Sequence, residues 1–174
     1  MKKFLFILSF IFFSFSVSSL EIVKEIKNAS IEHKEIIEDS YYDLSYLKRF
    51  DFKLNEELKG KKTMYFLKVK DSDPEELYME LTSLLLQNKF DILLYKTRIY
   101  CGNDFPAKCY KSNPFLEDYA YNNSAPFVQG DPENQFFVLA SQKNKNKKTY
   151  VFVYINQGWW TYPILKLDIL ETKI

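Results

Sequence analysis

The chain has one histidine, two cysteines and almost balanced charge, and each scarcity closes off a kind of function. His33 stands among Glu32, Lys34 and Glu35. A catalytic triad needs a histidine held by a carboxylate and facing a nucleophile in a cleft, so this one reads as a solvated side chain. The cysteines, Cys101 and Cys109, are too far apart for C-x-x-C redox chemistry, and without a histidine nearby they do not form a zinc pattern. Neither follows the apolar N-terminal run, which closes the lipoprotein route. No internal repeat is visible, and nothing in the sequence calls for a cofactor or a metal.

What is present begins with an export signal. Met1-Lys2-Lys3 is a short basic region, Phe4 to Val17 is apolar apart from serines, and Ser16-Val17-Ser18 is a small-x-small cleavage site. That order defines a secretory leader over residues 1–18. The apolar run is shorter than the roughly 20 residues a spanning helix needs, and it ends in serines rather than a basic cluster. The expectation is therefore a periplasmic protein with no transmembrane helix after cleavage. Loss of Lys2 and Lys3 takes the basic count from 24 to 22 against 23 acidic side chains, a net charge of −1. Nucleic-acid binders rest on excess Lys and Arg, so nucleic acid is not expected as a partner. Six of the 16 phenylalanines leave with the signal, yet the 13 tyrosines and both tryptophans stay, ample mass for one packed core.

Residues 19–40 read as a charged lead-in, either a solvated helix or an extended segment, ahead of a single domain over 41–174. Tyr42, Leu44 and Tyr46 alternate with Asp43 and Ser45 as in a half-buried strand. Asn55 to Lys62, holding Gly60, reads as a loop. Thr63 to Lys70 predicts a second strand. Asp73, Pro74 and Glu76 form a helix start with a capping box, and Leu77, Leu81, Leu84 and Leu85 make one apolar stripe ending near Asn88. Ile92 to Tyr100 predicts the strand completing a βαβ unit. Residues 101–134 form a long irregular loop. Three strands, 135–141, 149–156 and 162–171, close the chain as a meander, with Leu165, Leu167 and Ile169 inward and Lys166 and Asp168 outward. The expected fold is α+β: one mixed, mostly antiparallel sheet with a βαβ unit, one main helix on one face and a C-terminal three-strand meander.

The order of these pieces resembles the bacterial envelope proteins of the domain of unknown function 4892 family. The resemblance runs over about residues 41–172. It is carried by the helix and strand of DPEELYMELTSLLLQNKFDILLY, then Cys101-Gly102, the DPENQFFVLA strand, YVFVYIN and LKLDILE. The family often has a further cysteine four residues before its Cys-Gly pair, where this chain has Thr97, and a tyrosine where it has Phe136 or Phe137. The close-spaced disulfide of that pattern therefore cannot form here. The resemblance implies a fold and an envelope location, with no activity attached.

The candidate functional residues are few. In an exported protein two thiols are expected to pair, so Cys101 and Cys109 predict a structural disulfide. Closing its loop of about nine residues stabilises the fold by about 2.5 kcal/mol on the chain-entropy estimate. Trp159 and Trp160 occupy one hairpin tip as a candidate binding surface, since adjacent strand residues face opposite ways and one indole is left accessible. Lys143, Lys145, Lys147 and Lys148 crowd the other tip, a weaker candidate for anionic lipid or lipopolysaccharide, against the plain reading of a solvated turn that guards its strands. Glu75/Glu76 suit a helix N-terminus, while Glu117/Asp118 and Asp131/Glu133 read as turn residues. The expected function is non-enzymatic binding of an envelope component or protein. The alternative is a cell-wall hydrolase using carboxylates of the 101–134 loop.

Overall fold

Tyr150 to Asn156 are buried without a break, so this strand meets protein on both of its faces. The computed structural model describes residues 19–42, 52, 54, 58–97, 134–157 and 162–174. It comprises α1 (Ser19–Glu25), β1 (Ala29–Tyr42), β2 (Leu58–Val69), α2 (Pro74–Gln87), β3 (Asp91–Thr97), β4 (Gln135–Lys143), β5 (Lys147–Asn156) and β6 (Ile164–Lys173). The strands form one six-stranded sheet in the order β1-β2-β6-β5-β4-β3.

Every pairing in that sheet is antiparallel, so the expectation of a mixed sheet is corrected. The strand–helix–strand unit is present as β2-α2-β3, but its strands are not neighbours. The C-terminal meander β4-β5-β6 lies between them, with β6 against β2 and β4 against β3. Four reversals of direction along that path leave β2 and β3 pointing the same way without touching.

The helix forms where its cap places it. Asp73 accepts hydrogen bonds from the backbone N–H groups of Glu75 and Glu76, and Pro74 takes the first helical position. Its apolar stripe buries Leu77, Leu81 and Leu85 on one face of the sheet, beside Ile22, Val23 and Ile26 around α1. The helix stops in a left-handed turn. Lys89, at φ 62°, donates to the Leu86 carbonyl, and Phe90 N–H donates to Leu85. This satisfies two end carbonyls and brings Phe90 into the core with Leu85.

Three sequence expectations change. Residues read as a lead-in supply α1 and the edge strand β1, and β1 ends at Tyr42 where a strand was expected to begin. Leu58 to Lys62 belong to β2 rather than to a loop. Gly60 is there for close approach: a Cβ on it would stand 2.1 Å from the Glu171 carbonyl oxygen. Lys166 and Asp168, expected outward, are 0% and 1% exposed, because the second sheet face has its own apolar cluster of Tyr42, Phe66, Phe137, Leu139, Phe152 and Tyr154. Strands buried on both faces lose simple alternation.

Candidate functional site

Two concentrations of charge stand out, one inside the molecule and one at its surface. The interior one lies on the sheet face away from the helices. Lys166 and Asp168, two apart on β6, share that face, with Nζ 3.4 Å from Oδ2. The Tyr42 hydroxyl donates to the same Oδ2 at 2.7 Å, and its ring stacks on Phe152 at 4.2 Å. Lys166 Nζ lies 5.5 Å from the Phe66 ring centre, and the buried Lys62 holds its Nζ 5.7 Å from that of Tyr42. Asp168 Oδ1 is buried and has no hydrogen-bond partner. The arrangement ties β1 and β6 together across β2. With ammonium, carboxylate and phenol sealed among aromatic rings, it has the character of a structural lock.

The surface one lies at the end of the sheet where β1, β6 and β4 finish and β2 and β5 begin. Lys59 pairs with Asp39 at 3.3 Å and Lys61 with Glu38 at 2.7 Å, while Lys147 pairs with Glu171. The hydrogen bond from Lys61 to Glu38, reinforced by their Coulomb attraction, holds the Lys61 ammonium above the usual lysine range. These three pairs line an open groove of about 590 Å³ together with Gly60, Thr172 and Lys173. Sheet register then sets lysines directly opposite one another, Lys147 against Lys173 and Lys143 against Lys148. Lys148 Nζ lies 4.9 Å from the centre of the Tyr150 ring. Lys143 and Lys145 are exposed beside the tight turn in which Asn144 N–H donates to the Lys147 carbonyl.

The structure thus brings Lys143, Lys145, Lys147 and Lys148 to one place and adds Lys59, Lys61 and Lys173, which sequence reasoning missed. Only the sheet register joins those three to the hairpin. Trp159, Trp160, Cys101, Cys109 and the carboxylates of the 101–131 stretch and Glu133 lie outside the described residues. His33 is half-buried on β1, with Nε2 3.8 Å from Glu35 Oε2 and its ring 6.1 Å from that of Phe66. Among the described residues no helix is long and apolar enough to cross a membrane, and no group of three or more His, Cys, Asp or Glu side chains is placed to hold a metal.

Compared with known proteins, the chain matches no family model and no curated protein.

Proposed function

We propose that the protein is an exported, non-enzymatic module of the bacterial envelope that acts by binding. The observation that supports this best is the distribution of charge. Among the described residues, the buried Lys166 and Asp168 are tied into the sheet, and three solvent-accessible ion pairs line an open groove at the sheet end. An open charged surface suits contact with a partner, whereas acid–base chemistry needs groups converging on one reacting atom. The leader over residues 1–18 and the resemblance to the domain of unknown function 4892 family favour the same location. In this reading Cys101 and Cys109 are joined in the oxidising compartment, and Trp159 and Trp160 offer a contact at the opposite end of the meander.

The test is fractionation of the native host with intact-mass measurement. The protein should be recovered from the periplasm or envelope, starting at or near Ser19, with both cysteines resistant to alkylation after denaturation. A cytoplasmic protein that retains Met1 and has free thiols overturns the reading.

A further inference from the structure

We infer that β1 is a dimer-forming edge, which pairs antiparallel with β1 of a second copy of this chain about a two-fold axis at Ile36. The inference goes beyond the envelope reading and does not depend on it.

β1 ends the strand order, so its outer side has no neighbouring strand among the described residues. Ile31, Ile36 and Tyr41 stand on it 49%, 49% and 63% exposed. They are five residues apart, and on a regular strand that spacing would send the middle one to the opposite face. The two register shifts, between Ile31 and His33 and between Ile37 and Ser40, each insert one extra residue. As a result the three lie opposite Leu67, Thr63 and Lys59, four residues apart on β2 and on the face that carries the helices. Bulges and charges commonly guard a free edge. Here the bulges gather its apolar side chains into one row, about 13 Å from each to the next.

The row is symmetric about Ile36. In an antiparallel pair of two β1 strands, a two-fold axis there sets Ile36 against Ile36 of the second copy and Ile31 against its Tyr41. It also sets Lys34, opposite Tyr65, against the bulge that carries Glu38 and Asp39. Lys34 has no ion-pair partner among the described residues, and its Nζ lies 5.3 Å from the Tyr65 ring centre. Glu32, Glu38 and Asp39 are matched within the chain by Lys68, Lys61 and Lys59, so the acids of the two edges do not meet as bare charges. Moving the axis by one β2 position sets Ile36 against Lys34 in one direction and against the acidic bulge in the other. One register thus answers both the apolar row and the charges. Each copy also brings its Lys34 to the groove that Glu38 and Asp39 of the other help to line. The contact is isologous, so it closes at two copies and uses up both edges.

The test is sedimentation velocity of the purified protein across a dilution series reaching about 100 μM, where a micromolar dimer is nearly saturated. Wild type should dimerise. Ile36→Lys and Ile36→Glu each place like charges face to face on the axis and should weaken dimerisation at least about tenfold. An equal mixture of the two should recover a dimer containing one of each, because the axis then sets an ammonium against a carboxylate. That recovery also shows that both variants are folded. Lys34→Glu should weaken the dimer by a smaller factor, an effect that fades as salt rises. Tyr95→Ser, on β3 at the other end of the strand order, should leave it unchanged. A wild-type chain that is monomeric throughout the series, or single Ile36 variants that dimerise like wild type, overturns the inference. So does a mixture that stays monomeric, or a Tyr95→Ser chain that no longer dimerises.

Discussion

The Tyr42 hydroxyl donates a 2.7 Å hydrogen bond to Asp168, a residue 126 positions further along the chain, and both side chains are buried. The bond fastens the end of the edge strand β1 to β6, and Lys166 on the same carboxylate oxygen makes the junction ionic. Tyr42→Phe removes the donor and keeps the ring on Phe152, so it should cost about 2 kcal/mol, in line with hydrogen bonds to charged groups. Asp168→Asn leaves Lys166 without its carboxylate in an apolar setting and should cost about 3–5 kcal/mol. Replacing both charges, Lys166→Met with Asp168→Leu, should recover most of that loss. Urea unfolding of Lys166→Met, of Asp168→Leu and of the double closes the cycle. Additive losses would mean that the two charges do not act as a pair.

Lys89 is the clearest place where the chain is less stable than it needs to be. It occupies the left-handed position after α2 at φ 62°, where a Cβ is unfavourable and glycine is the usual occupant. Asn28 and Asp71 also take positive φ, but their short polar side chains tolerate it better. Lys89→Gly should raise stability by about 1 kcal/mol, read as a higher urea midpoint with the same slope. An unchanged or lower midpoint would show that the lysine side chain compensates for its backbone.

Gly60 tests the packing of β2 against β6. A methyl group there meets the Glu171 carbonyl oxygen at 2.1 Å and the carbonyl carbon at 2.9 Å. Both are backbone atoms in a paired strand, so neither moves aside as a side chain would. Gly60→Ala should cost about 1–3 kcal/mol, and by shifting Glu171 it should disturb the pair with Lys147. A thermal midpoint equal to that of wild type would count against this close approach.

These three sites also mark how far the sequence could be read. Asp73, Pro74 and the Leu77–Leu85 stripe encode α2 locally, and apolar runs separated by polar turns encode the last three strands, so both were legible. β1 was not. Its register shifts between Ile31 and His33 and between Ile37 and Ser40, which breaks the period-2 pattern that identifies a strand. Nor was the second buried face. Lys166 and Asp168 between leucines look solvent-facing unless β4 and β5 are read for their apolar residues at both parities, as in Phe136-Phe137 and Val151-Phe152-Val153. The lysine hairpin was visible as a cluster, but Lys173 and Glu171 join it only through strand pairing.

Tyr78 on α2 gives the protein a specific weakness in alkali. Its side chain is buried, with its ring 5.2 Å from that of Phe136. Burial pushes its phenol above the ordinary tyrosine value, and the neighbouring Tyr95 adds to the effect. In the unfolded chain this phenol ionises near its ordinary value of about pH 10. Above that pH the unfolded state binds fewer protons than the folded one, so stability falls as pH rises until the folded phenol also ionises. Below it the group is neutral in both states and contributes no slope. Tyr78→Phe should therefore match wild type near neutral pH and keep more of its stability above about pH 10, where the unfolded phenol titrates. Tyr95→Phe removes only the secondary influence and should recover a smaller part. Urea midpoints measured across the alkaline range decide the matter: if the Tyr78→Phe and wild-type curves fall together, the loss belongs to other groups.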